Sequence, residues 1–473
     1  MNALNKSVQQ VTDLIAHSDL EGDIVVRKLL EITTTRRSLD LSDLSAEDQA
    51  DLMLRRSQEL QPSAESLAER IRTAKQKSRP FIAKFGIDPT GAEVHLGHAV
   101  PMIILSRFQR MGHRVVFIVG DITAKIGDPT GRSNERPPLS DEDIAQNLST
   151  YREQVTPFFD FDRAEFRYNG DWLREIKLPR LIEITAQIPM SMPLQRDDFR
   201  KRLNSGQGLT LSEVLYSVVM ALDSVEINCD IEIGGIDQFL NMQMCRKVMD
   251  ICGQIPELVL ATPLIEGTDG TGAKMSKSKG NYVPLTAAPG EIFGKVMSIP
   301  DHLMQPYFEA LTEWQDVELD IINKRLSNGS LRPVDLKKIL AGEVTAAIHG
   351  LEAAMSARDE FAAKFSRRTY GEIENLPYIA DIEQSVLDVI KVLQFAKSNS
   401  DVRRLAEQQG VKILFVLDEQ QEHVSISPAE IWNSIGDIVR RNVNATVRGM
   451  QVYLKVGRKL ARVDFSSIKF DAD

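Results

Sequence analysis

The chain has 473 residues, 42% of them hydrophobic and 26% charged, with a formal net charge of −10. That length exceeds one ordinary core and predicts two or three domains, while the composition excludes disordered and fibrous classes. The acidic total argues against a surface built throughout for nucleic acid, and no apolar run approaches membrane-spanning length. The N-terminal stretch "MNALNKSVQQVTDLIAHSDL" has no basic segment followed by an apolar one, so no secretory leader is expected. Cys229, Cys245 and Cys252 form no CxxC and leave one over, which fits a reducing cytoplasm.

Residues 1–78 read as an N-terminal extension of polar helices with a charged seam ("DLSAEDQADLMLRRSQEL", "AESLAERIRTAKQK") and carry no recognisable chemistry. From Arg79 the texture changes. The apolar run "PFIAKFGI" precedes a helical pattern, then "RVVFIVGD", the loop "ITAKIGDPTGRSNERPP", the helix "DEDIAQNLSTYREQV" and the strand candidate "AEFRYN". Further on, "CDIEIGG" leads into the helix "DQFLNMQMCRKVMDICG", and "ELVLATPLI" follows. Alternating strands and helices over 79–300 predict a parallel, doubly wound α/β sheet of Rossmann-like type. Residues 301–380 read as wholly helical, and 381–473 as a small α+β segment. Between Ile438 and Val463 lie Arg440, Arg441, Arg448, Lys455, Arg458, Lys459 and Arg462 with no acidic residue. A basic end on an acidic body is either a modular nucleic-acid contact or a solvated strand face.

In doubly wound sheets ligands sit beyond the carboxyl ends of the strands, at helix N-termini. In "GIDPTGAEVHLGHAV", His95 and His98 stand three apart where a helix begins. A metal pair would want a third ligand, and only Asp88 and Glu93 are near, so no protein-bound metal is expected. Donors at a helix N-terminus suit an anion, and two ordinary loop histidines are the plain alternative. In "AKMSKSKGNYV", Lys274, Lys277 and Lys279 crowd like charges that repel unless they face solvent or a polyanion, between glycines 270, 272 and 280. Tyr216, Met220 and Asp223 are spaced i, i+4, i+7 and share one helix face, putting a hydroxyl and a carboxylate on one side.

Together, "HLGH" after the first strand and "KMSKS" after the last resemble the paired signatures of class I aminoacyl-tRNA synthetases. The segments "KFGIDPTGAEVHLGHAVP", "GDITAKIGDPTGRSNERPPL", "LYSVVMALDSV", "CDIEIGGIDQFLN" and "KMSKSKGNYV" resemble the bacterial tyrosyl-tRNA synthetases in order and spacing, from about Phe81 to Asp301. The resemblance implies a catalytic domain over 79–300 that binds ATP and the amino acid and makes a homodimer. It also implies an anticodon-side helical domain over 301–380 and an S4-like RNA-binding domain over 381–473. His95, His98, Lys274 and Lys277 are then the catalytic donors, acting on the phosphates of Mg2+-complexed ATP. Gly86, Asp88, Gly97, Asp237, Met275 and Ser276 complete the nucleotide site. Thr123, Asp128, Tyr216, Met220, Asp223 and Gln238 hold the amino acid, with Asp223 taking the substrate phenol and Tyr216, Asp128 and Thr123 its ammonium.

Two departures stand out. Met220 replaces a glutamine of the family, and methionine cannot bind an ammonium as glutamine does. In the tail, "ILFVLDEQQEHV" replaces the glycine-containing hairpin usual in the S4 module. The expectation is a cytoplasmic enzyme that activates tyrosine and transfers it to tRNA(Tyr). The alternatives are a paralogue that delivers a tyrosine-like adenylate to another acceptor, and a non-catalytic RNA-binding protein on the same scaffold.

Overall fold

Among the described residues six strands form the larger sheet, the inner four on largely buried apolar runs and the two edge strands on partly exposed ones. They are β1 (Glu59–Gln61), β2 (Ile82–Ile87), β3 (Arg114–Val119), β4 (Ala164–Tyr168), β5 (Ile231–Gly235) and β6 (Leu258–Thr262). The computed structural model describes residues 2–20, 22–89, 94–130, 140–206, 208–362, 376–396, 398–417, 420–442, 450–457 and 459–464. The chain divides into two units, Met1–Phe361 and Ala362–Asp473.

In the first unit the strand order is β1-β6-β5-β2-β3-β4. Strands β2 to β6 pair in parallel, and β1 closes the β6 edge antiparallel. From β2 the chain winds one way to β3 and β4, and from β5 the other way to β6. The order therefore reverses between β2 and β5, which is the switch point where such sheets bind ligands. Residues 1–78 were expected to be helical throughout, yet Glu59–Gln61 is a strand. Three residues are too few to show a period-2 pattern, and the strand exists because β6 supplies its partners.

The helices of the N-terminal segment share one core with the sheet and with the helices between Met304 and Phe361. Its polar seam is partly internal. The Arg36 guanidinium donates to the Glu318 carboxylate at 2.8 Å, with both side chains buried. From the helix Leu96–Arg110, Arg107 and Arg110 converge on Glu313 at 3.3 and 3.1 Å. Burial alone would raise the Glu313 carboxyl, but Arg107 and Arg110 outweigh it and hold it at about 2. The far end of the helix that His95 caps is thus pinned by ion pairs.

The second unit holds a five-stranded sheet of order β7-β11-β10-β8-β9, from β7 (Tyr378–Ile379), β8 (Val411–Leu417), β9 (Gln420–Ser425), β10 (Gln451–Val456) and β11 (Lys459–Val463). Helices Val386–Val392, Asn399–Glu407 and Ile435–Asn442 bury Val386, Ile390, Val402 and Val439 against it. Residues 418–419 of the stretch that departs from the S4 pattern, and Arg448 and Arg458 of the basic run, lie outside the described residues. Arg440 is committed to Glu383 and Asp437, while Arg441, Lys459 and Arg462 are exposed. Among the described residues no helix is long and apolar enough to cross a membrane.

Candidate active site

A cavity of about 650 Å³ opens at the switch point, and every candidate site residue named from the sequence lines it. Alternation along the strands shapes its floor. On β2, Lys84 and Gly86 face one side, and on β5 so do Glu232 and Gly234; Lys84 and Glu232 are register partners. A Cβ added at Gly86 would meet nothing within 4 Å, so the missing side chain is open space in the cavity.

At the cavity mouth the two histidines cap the helix Leu96–Arg110 reciprocally. The Gly97 N–H donates to His95 Nδ1 at 3.1 Å, and the His95 N–H donates to His98 Nδ1 at 3.2 Å. Gly97 is required because a Cβ there would sit 2.9 Å from the folded-back His95 ring. With both Nδ1 atoms accepting, each ring carries its proton on Nε2 and presents that donor outward. Burial, together with His98, Lys277 and Lys274, pushes His95 down to about 3; burial, with Lys277 and Lys274, brings His98 down to about 4. Both are neutral donors at physiological pH. The metal-pair reading of these residues is not met, since their Nδ1 atoms are spent on the helix cap.

The lysine-rich loop is tied to the same place. Leu96 N–H donates to the Val283 carbonyl at 3.1 Å, and Leu285 N–H to the Val94 carbonyl at 3.0 Å. A short 3₁₀ turn, Lys277–Lys279, ends at Gly280, whose φ of +67° is a left-handed conformation suited to glycine. Lys274 is 54% exposed and its ammonium rests on the Asp237 carboxylate at 2.9 Å. An anion placed there would compete with Asp237 for that cation.

Deeper in, hydrogen bonds join the residues expected at the amino-acid end in two sets. Tyr216 donates its hydroxyl to Asp88 at 2.8 Å and Thr123 donates to the other Asp88 oxygen at 2.6 Å. Asp88, expected from the sequence in the nucleotide site, is thus bonded to two residues expected at the amino-acid end. Gly120 is forced by the same contacts, since a Cβ there would lie 2.0 Å from Asp88 and 2.1 Å from Thr123. Gln238 donates to Asp128 at 2.7 Å. Asp223 accepts from Trp172 Nε1 at 3.0 Å and from Asn169 at 3.4 Å, and burial pushes its carboxyl up to about 7. Met220 lines the cavity and also packs on the cluster of Val218, Leu222 and Val248.

Sequence reasoning passed over Lys84, Glu232, Asn169 and Trp172. A signal for the first two was present: "KFG" and "EIG" each place one charge inside an apolar strand, two residues before a glycine. Among the described residues, one group of carboxylate and thiol donors is close enough together for a metal ion, Glu232, Cys245 and Glu257. The Lys84 ammonium, 2.8 Å from Glu232, already supplies a cation there, and burial pushes the Cys245 thiol and the Glu257 carboxyl well up, against the charged forms a metal would take.

A doubly wound sheet with neutral and cationic donors converging beyond its switch point is a nucleotide-handling α/β architecture. Residues 75–366 match the family tRNA synthetases class I (W and Y), and the chain belongs to that family. It is 39% identical to the tyrosine–tRNA ligase of Thermotoga maritima over 353 residues, 74% of this chain and 86% of that one. It is 38% identical to the tyrosine–tRNA ligase of Geobacter sulfurreducens over 372 residues, 78% of this chain and 92% of that one. A C-terminally truncated mitochondrial tyrosyl-tRNA synthetase of Aspergillus nidulans shares the fold, with a TM-score of 0.53 at 19% identity, covering 72% of this chain and 99% of its own. The tyrosyl-tRNA synthetase of Archaeoglobus fulgidus, complexed with L-tyrosine, shares it at 0.52 and 21%, covering 66% and 99%.

Proposed function

We propose that this protein is a tyrosine–tRNA ligase, using ATP to make tyrosyl-adenylate and passing the tyrosyl group to tRNA(Tyr). The observation that carries this reading is that His95, Gly97 and His98, the KMSKS residues and the Tyr216–Asp223 face line one cavity at the switch point. The tyrosine carboxylate attacks the α-phosphate of Mg-ATP, the bond to the β-phosphate breaks, and pyrophosphate leaves. A hydroxyl of the tRNA then attacks the acyl carbon and AMP leaves.

In this reading the chain supplies position and charge, with no covalent intermediate on the enzyme. His95 and His98 aim Nε2 donors at phosphate oxygens from one side, while Lys274 and Lys277 close from the other. Gly86, Gly97, Asp237, Met275 and Ser276 shape the nucleotide subsite. Asp88, Thr123, Asp128, Tyr216 and Gln238 make the ammonium and carboxylate subsite, and Asp223 takes the phenol. We place the enzyme in the cytoplasm as a homodimer. Leu178 and Ile182, exposed on one face of the helix Leu178–Thr185, are apolar surface that such a contact would cover. The exposed Arg441, Lys459 and Arg462 suit an S4-like contact to RNA.

ATP–pyrophosphate exchange across a panel of amino acids, followed by aminoacylation of tRNA, tests the proposal. Exchange with tyrosine, little with phenylalanine, and transfer to tRNA(Tyr) are expected, because phenylalanine covers the buried Asp223 without offering it a hydrogen bond. Exchange with tyrosine but no transfer to any tRNA would turn the reading to the paralogue.

A further inference from the structure

Behind the cavity wall a closed circuit of hydrogen bonds joins residues from three separate stretches of chain. Asp128, Thr130 and Gln238 line the cavity, while Asn241 is 1% exposed and Arg196 8% exposed. Arg196 precedes the helix Asp197–Asn204, and Asn241 lies on the helix Phe239–Ile251, which follows Gln238. One arm runs from Arg196 Nη1 to Asn241 Oδ1 at 3.0 Å, from Asn241 Nδ2 to Gln238 Oε1 at 2.7 Å, and from Gln238 Nε2 to Asp128 Oδ2 at 2.7 Å. The other runs from Arg196 Nη2 to Thr130 Oγ1 at 3.0 Å and from Thr130 Oγ1 to Asp128 Oδ1 at 2.6 Å. Asp198 pairs with the same guanidinium at 2.8 Å.

The chemistry of its two ends gives this circuit a direction. A guanidinium only donates and a carboxylate only accepts, whereas the amides and the hydroxyl between them can do either. Because Arg196 must donate, Asn241 turns its oxygen to it and its nitrogen to Gln238, and Gln238 in turn gives Asp128 an N–H. Reversed, Gln238 would set its carbonyl oxygen against the carboxylate. The Thr130 hydroxyl accepts from Arg196, so its proton goes to Asp128. With the Thr130 backbone N–H also on Oδ1 at 3.0 Å, Oδ1 holds two donors and Oδ2 one. A carboxylate oxygen accepts two, so the acceptor place left on Oδ2 is aimed by the donors on the other three.

We propose that Arg196 is a positioning residue for the amino-acid substrate: through Asn241, Gln238 and Thr130 it holds the Asp128 carboxylate so that Oδ2 meets the substrate ammonium. This rests on the reading of Asp128 as the ammonium's partner and deepens it. The effect has a sign that charge alone does not produce. A cation near the ammonium site repels the ammonium, so losing Arg196 as a mere charge would favour tyrosine. Losing it as the source of direction lets the amides and the hydroxyl turn, and the ammonium loses its aligned acceptor.

The test compares tyrosine with 3-(4-hydroxyphenyl)propionate, which keeps the phenol and the carboxylate and lacks only the ammonium. Calorimetric titration of the full-length native protein gives the preference for tyrosine, expected to be about tenfold or more. Arg196→Gln, whose amide accepts as well as donates, should cut that preference by about tenfold. Arg196→Lys, which again only donates, should keep it to within about threefold of native. An unchanged preference in Arg196→Gln marks a merely structural residue and a raised one a mere charge, and either overturns the assignment. An equal fall in both variants overturns it as well, since direction would then not be what Arg196 supplies. If Arg196→Gln does not fold, Thr130→Val, which cuts the shorter arm at the cavity wall, decides: a native preference there overturns the assignment. Native protein that binds both compounds equally removes the reading of Asp128 and the assignment with it, so the two failures look different.

Discussion

At the phosphate end of the cavity the cation is provisional. Lys274 is 54% exposed and rests on Asp237, itself 28% exposed, in a loop that ends at a left-handed glycine. At the ring end Lys84 and Glu232 are 1% and 2% exposed and fixed by the register of two neighbouring strands. An exposed pair is weak and readily exchanged for a phosphate, whereas a buried pair is held firmly and costs several kcal/mol per ion in desolvation, about what good geometry returns. The first pair can give way to an incoming anion, and the second stays where the strand register holds it.

Breaking the phosphate end gives the largest expected effect. His98→Ala and Lys274→Ala each remove a donor aimed at developing negative charge, a loss of about 3–4 kcal/mol, or roughly a hundredfold to a thousandfold in rate. Pre-steady-state adenylate formation should fall by that factor while tyrosine affinity, titrated separately, stays unchanged. A loss confined to tyrosine binding would remove both residues from the phosphate clamp.

The ring end is expected to respond to pH. The Asp223 carboxyl, raised by burial to about 7, gains its charge as pH climbs through that value, and the carboxylate is the better acceptor for a phenol. Thus kcat/KM for tyrosine should rise through pH 7, and Asp223→Asn should lower it by up to about a hundredfold and flatten the profile there. The histidines contribute no inflection in that range, because they are neutral above about pH 4. Stability changes with the opposite sign. Between its unfolded value of about 3.9 and its folded value of about 7, Asp223 binds more proton in the folded protein, so its contribution falls as pH rises. Thermal melts of the native and Asp223→Asn proteins from pH 5 to 8 should converge or cross accordingly; parallel curves would count against the buried, proton-holding Asp223.

Met220→Gln should have the smallest effect, and in the favourable direction. Restoring a polar contact to the ammonium is worth about 1.5 kcal/mol at the low end for a charged partner, roughly tenfold in tyrosine binding. Calorimetric titration of both proteins checks it. Unchanged binding would mean that Met220 serves its packing against Val218 and Leu222 and leaves the ammonium to others.

The phosphate end was legible because its chemistry is carried by contiguous residues. His95, Gly97 and His98 act through a helix cap whose partners are two and three positions apart, and Lys274 to Lys277 form a single loop. β3 and β6 were legible as near-continuous apolar runs, while β2 and β5 each carry one buried charge inside the run, Lys84 and Glu232. The ring end was only half legible. Tyr216 and Asp223 declared themselves by helical spacing, but Lys84 finds Glu232 across the strand pairing, and Asp223 finds Trp172 and Asn169 just past the carboxyl end of β4. Those partners are set by tertiary register, which no local window contains. Strand β1 was missed for the same reason.

The buried Arg36–Glu318 pair has a historical consequence. Residues 1–78 supply the guanidinium, while the carboxylate belongs to a helix more than two hundred residues further along the chain. Taking away one member of such a pair costs about 3–5 kcal/mol, a large share of what holds a domain folded. A lineage carrying this N-terminal segment cannot shed it in one step. Glu318 must first become a residue content without a counter-ion, and that first change is itself penalised while Arg36 remains. The segment needs no chemistry of its own to persist; a ratchet of this kind retains it.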